Sequence, residues 1–175
     1  MATISVVMPN YNHSHYLPVA LDAILSSSRL PDEILVIDDC SQDDSCEVIG
    51  RYAAREPRIR ALANPRNLGV VSTMNRGLTL ASGDYLAMLA ADDCVEPNFF
   101  ADAAAQLDLH ARAGFCSGLS YGMDAEGNRL GEWGPTDRAA VPAIFRRLWP
   151  NVFCDSMGVD DGEATLRRRC SRSAD

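Results

Sequence analysis

Short apolar runs that alternate with amphipathic stretches fill the first two-thirds of the chain, and this alternation restricts the fold more than any other feature. Ile4-Ser5-Val6-Val7-Met8 is rich in β-branched residues and stops at Pro9-Asn10, the pattern of a strand buried on both faces. Residues 16–27 carry Leu17, Leu21, Ile24 and Leu25 on one helical face and close at Ser26-Ser27-Ser28 and Pro31. A second strand over 33–37 ends at Asp38-Asp39. The helix after it has Val48, Ile49 and Tyr52 as its apolar face, with Ser41 or Asp43 as its cap. A weaker strand over 59–63, a turn-rich loop over 64–69 and a helix over 70–81 follow, the last finished by Ser82-Gly83. A fourth strand over 84–90, a fourth helix over 98–111 and a fifth strand over 114–119 complete the series. Strand and helix at these spacings predict an α/β fold, a mostly parallel sheet flanked by helices in a single domain.

Beyond about residue 120 the pattern weakens. Asp124-Ala125-Glu126-Gly127-Asn128 predicts the turn of a hairpin between Tyr121 and Trp133, and 141–149 reads as an amphipathic helix. The expected organisation is therefore an α/β unit over 1–120, a partial segment over 121–159 and a disordered tail over 160–175. The Arg167-Arg168-Arg169 run suits peripheral contact with an acidic lipid surface, although a solvated tail is the simpler expectation.

Charge narrows the function. Of 175 residues, 24 are acidic and 16 are Lys or Arg, a formal net charge of −8 that disfavours nucleic-acid binding. An acidic chain that takes a nucleotide diphosphate needs a metal or local donors to offset the repulsion. No basic leader precedes the first apolar run, and no stretch reaches the length of a transmembrane span. The six cysteines form no CxxC pair; reduced thiols in a cytoplasmic protein are the expectation.

Three polar clusters fall at strand ends, where open parallel sheets bind ligands. They are Pro9-Asn10-Tyr11-Asn12, Asp38-Asp39 and Ala91-Asp92-Asp93. Asp and Asn are common at such places simply as turn and cap residues. Two carboxylate pairs facing one crevice, however, require a cation or ligand donors to compensate them.

The ordered blocks ISVVMPNYN, EILVIDDCSQDDS and NPRNLGVVSTMNRGLTLASGDYLAMLAADD resemble the family 2 glycosyltransferases of the GT-A, Rossmann-like fold over about residues 3–120. The resemblance implies transfer of a sugar from a nucleotide-diphosphate sugar, a UDP-sugar, with metal dependence and inversion. It implies the donor as partner and a sugar, lipid or protein as acceptor, in the setting of cell-envelope polysaccharide. Pro9 and Tyr11 would lie against base and ribose, and Asp39 would accept a hydrogen bond from the base. Asp93 would ligate Mn2+ or Mg2+ directly, with Asp92 serving the ribose or the metal's waters. Two departures stand out: Ala90 replaces a frequent third aspartate, and Met74 replaces the arginine before Asn75-Arg76-Gly77. That leaves Arg66 or Arg76 as the cations that could approach the diphosphate, and His13 and His15 as loop histidines. After Ser156 the motif resemblance fades. Asp160 and Asp161 are the candidates for the general base, out of the family's spacing, and a nucleotide-sugar-binding module without transfer is the alternative.

Overall fold

Strand β1 (Ile4–Asn10) is buried along its whole length because neighbours flank it on both sides and helices cover both faces. The computed structural model describes residues 1–118, 120–124, 129–133 and 143–146. Within them, α1 (Leu17–Leu25), β2 (Glu33–Asp38), α2 (Ser45–Ala53), β3 (Ile59–Ala63), α3 (Val70–Leu80), β4 (Tyr85–Met88), α4 (Phe99–Leu109) and β5 (Phe115–Ser117) follow β1 in the predicted alternation. Then come β6 (Ser120–Met123), β7 (Arg129–Trp133) and β8 (Ala143–Arg146).

The main sheet has six strands in the order β3-β2-β1-β4-β8-β5. Pairing is parallel from β3 to β4, with Val6 opposite Ile34 on one side and Ala87 on the other. Alternate residues of the strands feed two cores. Ile4, Val6, Met8, Ile34 and Val36 pack with Leu17, Leu21 and Ile24 of α1, Val48 and Ile49 of α2, and Phe100 and Leu107 of α4. Val7, Leu35, Ile37 and Leu86 face the opposite way, onto Met74 and Leu78 of α3. The approach of α3 is close: a Cβ on Gly77 would lie 2.2 Å from Val7 Cγ1 and 3.0 Å from Ile37 Cδ1. Glycine is required there by space, not by conformation.

Pro9 shapes the crevice. The last backbone bond on the β4 side runs from the Leu89 N–H to the Val7 carbonyl. The next rung would need an N–H from Pro9, which has none, so β1 and β4 part company here. On the other side Pro9 still stands opposite Ile37 and Asn10 opposite Asp38.

Two expectations are corrected. The segment 141–149 is not helical at its centre: β8 lies antiparallel between β4 and β5, with Leu86 opposite residue 145 and Cys116 opposite residue 144. Apolar periodicity over so few residues does not separate strand from helix, and two open strand edges decide the matter by offering hydrogen bonds on both sides. Neither Ser41 nor Asp43 is the N-cap of α2; Asp44 occupies that place without a side-chain bond. Asp43 instead accepts the Ser45 N–H from one residue further back, at 3.0 Å. The hairpin between 121 and 133 is present as β6–β7, with a register irregularity at Gly122/Met123. The tail over 160–175 lies outside the described residues, and no helix among those described is long and apolar enough to cross a membrane.

Candidate nucleotide-sugar site

At the carboxyl ends of β1 and β2 the loops are stitched together by side chains. Asn10 Nδ2 donates to Asp38 Oδ1 (2.8 Å) and Ser41 Oγ (3.2 Å). Asn12, at φ 57°, donates its N–H to Ser41 Oγ and accepts the Gln42 N–H on its own Oδ1. Asp43 reaches back to accept the Ser14 N–H at 2.9 Å. These donors and the Ser45 side chain outweigh the burial that pushes the Asp43 carboxyl up, and hold it down at about 2. Cys40 sits between these groups at φ 64°, a left-handed conformation that costs a non-glycine residue about 1–2 kcal/mol. Such strain persists only where the surroundings fix it.

The two neighbouring aspartates are held by different parts of the chain. Asp38 is saturated: its oxygens accept from Asn10, from the Ser41 hydroxyl and N–H, and from the Cys46 thiol at 3.3 Å. Asp39, 3% exposed, accepts the Asn64 amide (2.6 Å) and the Leu68 N–H (2.9 Å) on Oδ1, and the Gly69 N–H (2.8 Å) on Oδ2. Oδ1 thus takes two of these bonds and Oδ2 one, and the Thr73 hydroxyl is a further donor to the carboxylate. Burial pushes this carboxyl up, but the bonds from Asn64, Leu68, Thr73 and Gly69 prevail and leave it below the ordinary aspartate value, hence ionised. Gly69, at φ 82°, gives the turn that aims its N–H at Asp39 and starts α3.

Across the crevice, β4 runs out into Asp92 and Asp93, both exposed. Asp93 takes a backbone hydrogen bond from Ala90, and the His13 imidazole stands beside Asp92, its Nδ1 3.9 Å from Asp92 Oδ1. The Asp93 carboxyl is pushed above its ordinary value, first by desolvation and then by the charge of Asp92. Adjacent carboxylates with that mutual penalty suit a bound cation. The donor set fits magnesium or manganese, which take one or two protein carboxylates and leave the remaining positions to water and phosphate. Among the described residues no group of three or more His, Cys, Asp or Glu gathers as a closed metal cage.

The remaining sequence candidates separate clearly. Pro9 is buried in the strand and shapes the crevice through its backbone, whereas Tyr11 is 41% exposed at the rim. Arg66 is exposed on the loop, while Arg76 is turned toward Asn64 and the Ala63 carbonyl. Asp160 and Asp161 lie outside the described residues. Sequence reasoning placed Asn10 in a strand-end cluster and Ser41 as a helix cap but did not foresee that they and Asn64 orient the aspartates. Asn10 Oδ1 is also buried without a partner, at the very end of β1. Their only local signal was an Asn or Ser beside a strand end.

Comparison with known proteins gives a consistent result. The chain is 36% identical over 95 residues to an uncharacterized glycosyltransferase of Haemophilus influenzae, an alignment covering 54% of this chain and 38% of that one. Its fold matches S. aureus TarS 1-349 in complex with UDP at a TM-score of 0.60 and 26% identity, covering 65% of this chain and 34% of TarS 1-349. The mannosyltransferase PcManGT from Pyrobaculum calidifontis, in complex with GDP-Man and Mn2+, shares the fold at a TM-score of 0.56 and 23% identity, with 61% and 32% coverage. The chain thus spans about a third of the length of each of these relatives. The sequence model described as Glycosyl transferase family 2 matches residues 5–169, well past residue 120 where the recognisable motifs end. With that match over most of its length, the chain belongs to glycosyl transferase family 2.

Proposed function

We propose that this chain supplies the donor site of a metal-dependent transferase that passes a sugar from a UDP-sugar to an acceptor hydroxyl with inversion. The observation that carries the reading is the pairing of Asp39, ionised and buried at the end of β2, with the adjacent, mutually repelling Asp92–Asp93 carboxylates at the end of β4. The strands that present them, β2 and β4, flank β1, so their ends lie ~10 Å apart at the usual strand spacing. A nucleoside diphosphate is long enough to bridge that gap, base at Asp39 and phosphates at Asp93.

Each protein group then has a task. Asp39 Oδ2 accepts an imino N–H, which uracil has and cytosine lacks. Tyr11 offers an exposed ring at the rim for the base or ribose, and Pro9 keeps the crevice open by ending the β1–β4 ladder. Asp93, with Asp92 beside it, would hold Mn2+ or Mg2+. When bound, the ion would neutralise the charge that grows on the departing diphosphate. Relatives support the choice of ligands: TarS was solved with UDP and with UDP-GlcNAc. Asp160 or Asp161 is the proposed base for the acceptor hydroxyl, and the site works in the cytoplasm. Met74, where the family carries arginine, favours a second reading in which the chain binds the donor without transferring it.

A panel of nucleotide sugars with Mn2+, scored separately for binding, hydrolysis and glycoside formation, tests both. UDP-sugars bound and turned over support the transferase, and binding without turnover supports the module. No binding of any uridine nucleotide refutes both.

A further inference from the structure

Asn64 is 4% exposed, yet its side chain is fully engaged. Both hydrogens of its amide are spent, one on Asp39 Oδ1 at 2.6 Å and one on Thr73 Oγ1 at 2.8 Å. Its Oδ1 accepts from Arg76 Nη1, which also donates to the Ala63 carbonyl at 2.8 Å. Thr73 and Arg76 are three residues apart on α3, so one helical turn brackets the amide from both sides. Only one orientation of that amide is tolerable. Reversed, it would set a carbonyl against the Asp39 carboxylate and an NH2 group against a guanidinium.

We propose that Arg76 is a specificity-determining positioning residue, which acts through Asn64 to hold the Asp39 carboxylate in the orientation that reads the base. The inference rests on the reading of Asp39 given above and extends it to a residue that touches no ligand. The guanidinium is committed to Asn64 and Ala63, which takes it out of contention as a diphosphate cation. Without it, Asn64 Oδ1 is left buried with no donor, the amide rotates in search of one, and Asp39 loses the Asn64 bond. The carboxylate then turns more freely about its remaining bonds to Leu68, Gly69 and the Thr73 hydroxyl. The oxygen offered to the base no longer faces one fixed direction, so discrimination between bases falls while phosphate binding at the far end of the crevice is kept.

The test measures UDP and CDP affinity by calorimetry with Mn2+ for the wild type, Arg76→Met, Arg76→Lys, Asp39→Asn and the Arg76→Met/Asp39→Asn double variant. Thermal melting of each variant is followed in parallel. Arg76→Met is expected to lower the UDP-over-CDP preference about two- to thirtyfold, the range for residues that act on a site without touching the ligand. Arg76→Lys, which retains a donor, should recover part of it, and the double variant should be no less selective than Asp39→Asn alone. A purely structural role would lower melting temperature and leave the preference unchanged. If Asp39→Asn lowers the preference and Arg76→Met does not, the inference is overturned while the base reading stands. If Asp39→Asn changes nothing, the base reading fails and the inference falls with it. Should Arg76→Met not fold, Arg76→Gln, too short to reach both acceptors, carries the same test with the same outcomes.

Discussion

The two ends of the crevice are built on opposite principles. On the β2 side, Asp38 and Asp39 are buried and taken up by hydrogen bonds from five side chains or loops that meet only in the fold. On the β4 side, Asp92 and Asp93 stand exposed and repel each other, with the His13 imidazole 3.9 Å from Asp92. The first end is finished before any ligand arrives. The second carries charge that a partner must compensate. A rigid reader of the base and an incomplete holder of the phosphates is a sound division for a donor site: selectivity needs fixed geometry, whereas charge neutralisation comes with the ligand.

The comparison breaks most visibly at Asp93. Asp93→Ala is expected to weaken UDP binding in Mn2+ by at least about tenfold, the effect of losing even an outer partner of a metal. The same substitution should leave the melting temperature without UDP unchanged or raised, because it removes a carboxylate held in an unfavourable place. Calorimetry and a thermal melt together check this. A variant that binds UDP like the wild type removes the β4 side from the site.

Asp39→Ala should weaken UDP by about 1–3 kcal/mol, the cost of leaving a buried partner unpaired. Unlike Asp93→Ala, it should also destabilise the protein, because the Leu68 and Gly69 N–H groups and the Asn64 amide lose their acceptor. Loss of stability without any change in nucleotide preference would make Asp39 a loop anchor alone.

Much of this was written in the sequence. β-Branched runs ended by Asn or Asp mark β1, β2 and their polar ends because burial on two faces demands continuous apolar residues. The two DD pairs were legible as carboxylates at strand ends, where open parallel sheets bind ligands. What local pattern could not show was what each carboxylate touches. Asn64 is 25 residues from Asp39, and nothing near Asn64 announces that its amide will be held between a carboxylate and Arg76. β8 was invisible as a strand because its partners, β4 and β5, lie far back in the chain. The distinction between Asp38 and Asp39 is likewise tertiary: the first is held by Asn10, Ser41 and Cys46, and the second by Asn64, Thr73 and the 68–69 loop.

Packing against the site gives a control. Gly77→Ala should cost about 1–3 kcal/mol of stability by forcing a methyl into Val7 and Ile37, with the UDP-over-CDP preference unchanged. A denaturant titration measures it, and a neutral effect would show that α3 stands further from β1 than described.

The smallest effect concerns pH. Asp43 titrates at about 2 in the folded chain against an ordinary 3.8. Its folded pKa is depressed, so its contribution to stability is complete above the unfolded value and is lost as pH falls from about 3.8 toward 2. Asp43→Asn should therefore flatten the fall of melting temperature across that window. The difference is expected to be slight, since the carboxylate is exposed and screened. Identical curves would assign the depression no energetic weight.

The claim that joins the two ends is that the Asp93 carboxylate and the diphosphate share one divalent ion. Calorimetric titration of UDP into the wild-type chain, once with Mn2+ and once with excess chelator, addresses it directly. Binding with Mn2+ and none with chelator is the predicted result. Equal affinity under both conditions would contradict it.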